Sequence, residues 1–331
     1  MSNVWQDKKC LVTGGAGFGG AHLCEKLLAS GAQVYVLDRL VHDLSYFRLQ
    51  GLESRVQMIF GDITDSGLVR LLLERFEIDT IFHLAAQPIV PISNVLPMDT
   101  LQVNAMGTFV LLEAMRQSAF VQRMVVASSG AYYGATTTDR ALLEDDPPRT
   151  ASNIYASSKV AADAVTRSYG EAYGLSVVVC RFMNTYGPGD INFSRLVPRA
   201  IRNLLNAMPY DFGARDDGSS RLDFLYVGDM AEAYMRAAEA LPACRAEPFN
   251  FGSGAPASIA EVVKKISILY DKEERTPSFS GAHRERPAIK YLNVDKARER
   301  LGWTPGTALD QGLERTLEWY RKHWGVLQKF A

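Results

Sequence analysis

Thr13-Gly14-Gly15-Ala16-Gly17-Phe18-Gly19-Gly20 follows directly on the apolar run Lys9 to Thr13 and leads into a helical pattern from Ala21 to Ser30, ended by Gly31. A second apolar run, Gln33 to Asp38, completes a βαβ unit at the head of the chain. Gly14, Gly17 and Gly20 have the spacing of a dinucleotide loop, as G-x-x-G-x-x-G in place of the commoner G-x-G-x-x-G. Glycine lets the backbone approach a pyrophosphate, whose charge is then stabilised by the amides and dipole at the start of the following helix. Asp38 closes the second strand where a carboxylate grips the adenosine ribose, which favours NAD over NADP because a carboxylate repels a 2'-phosphate. A strand-end turn is the other reading of Asp38. Gly61-Asp62-Ile63 puts a carboxylate and an apolar side chain near the adenine, or else Asp62 caps a helix.

Outward from this unit, apolar runs recur at Arg55 to Phe60, Thr80 to Ala86, Arg123 to Ser129 and Ser176 to Phe182, with helical patterns around residues 65 to 76, 99 to 117 and 153 to 173. Strands alternating with helices predict an α/β fold, a Rossmann-like doubly wound parallel sheet covered on both faces. Beyond Asn184 the pattern loosens, and Asp223 to Val227 reads as a buried strand followed by a helix around 228 to 240. The expected organisation is a large domain of residues 1–182, rejoined by about 222–252. A smaller C-terminal lobe is expected from 183–221 and 253–331.

Of 331 residues, 47% are hydrophobic and 22% charged, and the net charge is -1. Without a basic block, nucleic acid and anionic membranes have no electrostatic case as partners. No apolar h-region opens the chain and no run approaches the roughly 18 residues of a membrane span, so a soluble cytoplasmic protein is expected. Cys10, Cys24, Cys180 and Cys244 form no C-x-x-C pair and read as reduced core thiols; no metal site is expected.

Tyr155-Ala-Ser-Ser-Lys159 carries a phenol and an ammonium one helical turn apart on one face. A nearby ammonium favours tyrosinate and draws a phenol pKa from roughly 10 towards neutrality, making Tyr155 a usable acid/base. Ser128-Ser129 ends a strand at the carboxyl edge, where open parallel sheets bind ligands, and offers a hydroxyl to a reacting oxygen or a cap to the next turn. A dinucleotide loop together with an acid/base implies hydride chemistry on an alcohol or ketone.

With His83-Leu-Ala-Ala-Gln87, Asn104-Ala-Met-Gly-Thr108, Arg181-Phe-Met-Asn-Thr-Tyr-Gly-Pro188 and Asp223-Phe-Leu-Tyr-Val227, these segments resemble, over nearly the whole chain, the extended short-chain dehydrogenase/reductase family, the nucleotide-sugar epimerases and dehydratases. The resemblance implies tightly held NAD on Gly14, Gly17, Phe18, Gly20, Asp38, Asp62, Ile63, Ala85, Tyr155 and Lys159. It implies a catalytic set of Ser129, Tyr155 and Lys159, and a C-terminal lobe that binds a nucleoside-diphosphate sugar. Gln87, Ser129 and Asn184 are then substrate contacts, and a homodimer is the usual assembly. His83 reads as a satisfied core histidine.

Members that eliminate water across C5 and C6 carry an Asp-Glu or Asp-Lys pair at the two positions after the catalytic hydroxyl, and decarboxylating members carry Glu at the second, where this chain has Gly130 and Ala131. Neither moves a proton, so the expected activity is a 4-epimerase working through a 4-keto intermediate. The alternatives are a 4-ketoreductase and a 4,6-dehydratase relative with altered chemistry, since Gly189 to Pro198 resembles the CDP-glucose 4,6-dehydratase branch. A binding protein with a retired site is disfavoured by the intact Ser129, Tyr155 and Lys159. Many relatives place Arg immediately before Asp223, where this chain has Leu222; Arg221, Arg284 and Arg286 are the candidates for holding the diphosphate, or else are surface charges.

Overall fold

A computed structural model describes residues 4–134, 140–149, 153–283 and 288–329. Seven strands form its central sheet: β1 (Lys9–Thr13), β2 (Gln33–Asp38), β3 (Gln57–Phe60), β4 (Thr80–His83), β5 (Arg123–Ser129), β6 (Val177–Phe182) and β7 (Pro248–Phe251). Their order is β3-β2-β1-β4-β5-β6-β7, and every neighbouring pair is parallel. The helices of ten or more residues are α1 (Phe18–Ala29), α2 (Ser66–Arg75), α3 (Gly107–Gln117), α4 (Ile154–Tyr173), α5 (Leu196–Leu205), α6 (Val227–Glu239), α7 (Ile259–Asp271) and α8 (Leu309–Leu327).

Successive strand residues point to opposite faces, and the two faces feed two cores. Cys10, Val12, Val34, Val36, Phe82, Val125 and Val178 join one cluster; Leu11, Leu37, Ile81, Met124, Val126 and Val177 join the other. A sheet buried on both faces explains why its strands read as unbroken apolar runs. The first cluster also takes in Trp303, Leu313, Leu317 and Tyr320, so the C-terminal helices share a core with the sheet. The four cysteines are buried and free.

Several boundaries differ from the sequence reading. Helix α1 begins at Phe18, because Gly17 is the N-cap and Gly19 and Gly20 lie inside the first turn. The run expected to be a strand to Ala86 leaves the sheet after His83. The helical pattern at 99–117 is interrupted by a π turn over Gln102–Met106. Asp223 to Val227 is not one strand. Only Leu225–Tyr226 pairs, with Thr185–Tyr186, and Val227 already starts α6. The strand that returns to the main sheet is β7, and a separate small sheet joins Arg221–Leu222 to Ala257–Ser258 and Ile289–Lys290. Among the described residues no helix is long and apolar enough to cross a membrane.

Candidate active site

The chain runs outward from β1 through β2 to β3 and then crosses to β4, so β1 and β4 diverge at a topological switch point. Ligands bind in the crevice outside the strand ends at such a point. Thr13 and His83 are in register at the two ends. Gly14 and Ala85 emerge side by side, close enough that a Cβ at Gly14 would lie 2.7 Å from the Ala85 Cα. Gly14 also adopts φ +70°, which side-chain-bearing residues avoid. Its carbonyl accepts the Gly17 N–H at 3.1 Å, curling the loop into the start of α1. No side chain caps α1, so the first-turn amides remain for a ligand.

A cavity of about 650 Å³ opens over this loop, lined by Gly14, Gly17, Phe18, Gly20, Asp38, Asp62, Ile63 and Ala85, and reaching Ser129, Tyr155, Lys159 and Asn184. That size falls within the range of cofactor sites. Asp38 Oδ2 accepts the Ala16 N–H at 3.1 Å and Oδ1 the Arg39 N–H at 2.8 Å, tying the end of β2 to the glycine loop. Burial raises the Asp38 carboxyl pKa, against the pull of those amides. Asp62 Oδ1 accepts from Thr64 N and Oγ1, while the cap of α2 is Asp65. The glycine cradle, open amides and carboxylate thus fit a dinucleotide with free ribose hydroxyls. Gly14→Val is expected to weaken NAD binding about 10- to 100-fold, from αL strain plus collision with the Ala85 backbone; NAD retained on purification measures it.

Ser129 is the last residue of β5. Its hydroxyl accepts the Ala131 N–H at 3.1 Å, which caps the following turn, and Ser129 lines the same cavity as Tyr155. Tyr155 lies in the first turn of α4, which Asn153 caps by accepting the Ala156 N–H at 2.8 Å. One turn on, Lys159 Nζ donates to the Ala127 carbonyl of β5 at 2.9 Å.

The electrostatics differ from the sequence reading in one respect. Burial raises the Tyr155 pKa, opposed by the Ser129 hydrogen bond and the Arg195 charge. The Lys159 ammonium is itself disfavoured by burial, to about 8. A lysine depressed from 10.5 to about 8 costs the fold on the order of 3 kcal/mol below pH 8. Because the unfolded chain binds more protons between those values, this penalty fades as pH rises from about 8 to 10.5. Lys159→Met is therefore expected to raise the stability of the cofactor-free protein at pH 7, less a part lost by leaving the Ala127 carbonyl unpaired. Urea unfolding at pH 7 and pH 10 checks that the gain shrinks at the higher pH.

Buried side chains hold these groups in place. His83 Nδ1 bonds Thr13 Oγ1 at 2.7 Å and Nε2 bonds Thr108 Oγ1 at 2.9 Å, while burial and Lys159 lower its pKa to about 3. Thr108 donates to the Asn104 carbonyl, which assigns the proton to Nε2 and leaves a neutral, satisfied ring. Behind Ser129, Ser128 Oγ donates to Asp163 Oδ2 at 2.9 Å, and Arg181 clasps the same carboxylate through Nε at 2.8 Å and Nη2 at 3.0 Å. Arg181 also donates to Tyr133 Oη and the Glu144 carbonyl, and lies 3.6 Å from the Tyr132 ring centroid, so Tyr132 packs rather than facing the cavity.

Other candidates fall elsewhere. The Gln87 amide is consumed within its own loop, accepting the Ile89 N–H at 2.6 Å and donating to Thr100 Oγ1 at 3.1 Å, and does not line the cavity. Arg221 is exposed and donates to the Pro256 carbonyl at 2.8 Å, outside the cavity. Arg284 and Arg286 lie outside the described residues. The sequence reading missed Arg195, Asp190 and Thr185, which line the same cavity. An arginine in the loop after β6, before an apolar-periodic helix, was the signal for the first of these.

A family model described as GDP-mannose 4,6 dehydratase matches residues 11–316. UDP-glucose 4-epimerase of Mycolicibacterium smegmatis is 33% identical over 327 residues, 95% of this chain and 98% of that protein. The dTDP-D-glucose 4,6-dehydratase of Mus musculus is 31% identical over 328 residues, 96% of this chain and 89% of that protein. The solved structure of MoeE5 in complex with UDP-glucose and NAD superposes with a TM-score of 0.81 at 32% identity, covering 96% of this chain and 99% of that one. The chain belongs to the extended short-chain dehydrogenase/reductases, the NAD-dependent nucleotide-sugar dehydratases and epimerases. It is an enzyme of that family.

Proposed function

We propose that this protein is a nucleotide-sugar 4-epimerase acting through a 4-keto intermediate. The observation that carries the reading is the pairing of a complete Ser129, Tyr155, Lys159 set with Gly130 and Ala131 where elimination would need acids. The space beside Gly130 is filled as well, since a Cβ there would collide with Met183.

Tyr155 takes the proton of the sugar C4 hydroxyl, and Ser129 holds the same oxygen by hydrogen bonding. Lys159 supplies the neighbouring charge, from a position fixed by the Ala127 carbonyl. NAD bound on the glycine loop supplies hydride acceptance and return, with Asp38 holding its ribose. Asn184 and the lobe of residues 183–221 and 253–331 take the nucleotide sugar. The keto sugar turns over in the cavity, and Tyr155 returns the proton to the oxygen on the opposite configuration. A homodimer fits the exposure of Val95, Met98 and Met106.

A 4,6-dehydratase is the second reading, favoured by the likeness to dTDP-D-glucose 4,6-dehydratase. Incubation with UDP, dTDP, CDP and GDP hexoses tests both. Under the proposal one of them gives its C4 epimer with no net absorbance change at the nicotinamide band. Stoichiometric formation of reduced cofactor together with a 4-keto hexose would mean a ketoreductase running in reverse, and a 4-keto-6-deoxy product a dehydratase.

A further inference from the structure

A second cavity of about 970 Å³ adjoins the first, and the junction between them has two unlike walls. Asn184, Thr185, Asp190, Asn192 and Arg195, from the loop after β6, line both cavities and are polar throughout. Pro88 and Ile89, from the loop after β4, also line both and are apolar, and Val90 and Pro91 continue that wall along the second cavity. Strand β5 lies between β4 and β6 in the sheet, so the two stretches approach the junction from different sides. The apolar wall keeps its polar backbone groups occupied. Ile89 N–H is taken by Gln87 Oε1 at 2.6 Å, and its carbonyl accepts from Gln87 Nε2 at 3.2 Å and from Ser93 N at 3.1 Å. The Val90 carbonyl accepts the Ser93 hydroxyl at 2.7 Å, and Pro88 and Pro91 have no N–H to give. Asn104 fixes the turn from behind, accepting the Gln87 N–H at 2.7 Å and donating to the Gln87 carbonyl at 3.1 Å.

Building on the nucleotide-sugar reading, we infer that the substrate sugar carries a methyl-bearing group on one edge in place of a free hydroxyl, and that Ile89 is the residue that selects it. A hexose that brings C4 to Tyr155 and turns its anomeric phosphate towards the second cavity lies in the junction with one edge along each wall. Its C2 and C3 hydroxyls stand on one edge and its C6 hydroxyl on the other. The polar wall supplies partners for hydroxyls. Against Pro88, Ile89, Val90 and Pro91 a hydroxyl gives up its water and meets no side-chain donor or acceptor, a loss that a methyl avoids. The methyl also buries apolar surface against the half-buried Ile89. Turning the ring over exchanges the edges, so the wall favours the state in which the methyl faces it. Two groups bring such a methyl, C6 of a 6-deoxyhexose and the acetamido group of an N-acetylated amino sugar.

Calorimetric titration of the NAD-loaded full chain tests this. UDP, dTDP, CDP and GDP are compared first, and the tightest binder is then supplied as its glucose, 6-deoxyglucose and N-acetylglucosamine forms. A methyl-bearing form is expected to bind about 10- to 100-fold tighter than the glucose form, the range over which an apolar pocket separates a substituent from its hydroxyl counterpart. A gain on either methyl-bearing form supports the inference, and the form that shows it identifies the group that meets Ile89. Ile89→Asn is expected to bring the three forms within about threefold of one another, while the free diphosphate still binds within about twofold of the parent, and Ile89→Val keeps the preference. A glucose form bound as tightly as both methyl-bearing forms, or a preference unchanged in Ile89→Asn, overturns the inference while leaving the nucleotide-sugar reading intact. Failure of all four diphosphates to bind the unsubstituted protein overturns that reading itself.

Discussion

Tyr155→Phe is expected to lose about 10²- to 10⁴-fold in kcat while NAD content and folding stay as in the parent. The substitution removes one oxygen and leaves the ring in place. In the proposed mechanism that oxygen carries the proton, in a cavity that burial makes unfavourable for tyrosinate. The sign of the pH dependence follows from the direction of that shift. With the phenol pKa raised in the free protein, the fraction of Tyr155 able to accept a proton grows as pH increases, so kcat/KM rises on the alkaline side of neutrality until Lys159, at about 8, begins to lose its charge. A pH profile of the parent and of Lys159→Met separates the two groups. Turnover of Tyr155→Phe equal to the parent would remove the proposed acid/base.

Asp163→Ala is expected to give the largest loss of stability, about 3–5 kcal/mol, because it leaves the guanidinium of Arg181 buried without its counter-ion. Both partners of this pair are fully buried, and their ion pair measures 2.8 Å. Urea unfolding monitored by circular dichroism reads the change. Asp163→Ala/Arg181→Met is expected to recover much of it, since an apolar replacement of a buried pair is often neutral. The same network reaches the active site, for Ser128 Oγ donates to Asp163 and precedes Ser129. Loss of Asp163 therefore also loosens the end of β5, and kcat falls in the fraction that stays folded.

The central sheet was legible because strands buried on both faces must be apolar throughout, and β1, β2 and the Gly14-Gly17-Gly20 loop show this at their observed positions. Tyr155 and Lys159 were legible because one helical turn fixes their relation whatever surrounds them. Contacts made across the chain were not. Asn250 accepts from Tyr133 Oη at 2.6 Å and its N–H meets Glu144 Oε1 at 2.9 Å, although these residues are far apart in sequence. The short strand β7 carries no periodicity long enough to read. The balance of charge at Tyr155 also depended on folding, since Arg195 reaches it from the loop after β6. The Gln87 amide closes its own turn, a local contact that the sequence pattern does not show.

The most direct measurement is the hydrogen isotope content of the product formed from the turned-over nucleotide hexose in D₂O, read by proton NMR. Elimination across C5 and C6 must remove the C5 hydrogen and refill that carbon from solvent, whereas inversion at C4 through hydride return keeps every carbon-bound hydrogen. The expected product is the C4 epimer with protium at C4 and C5. A 4-keto-6-deoxy sugar carrying deuterium would contradict the epimerase account.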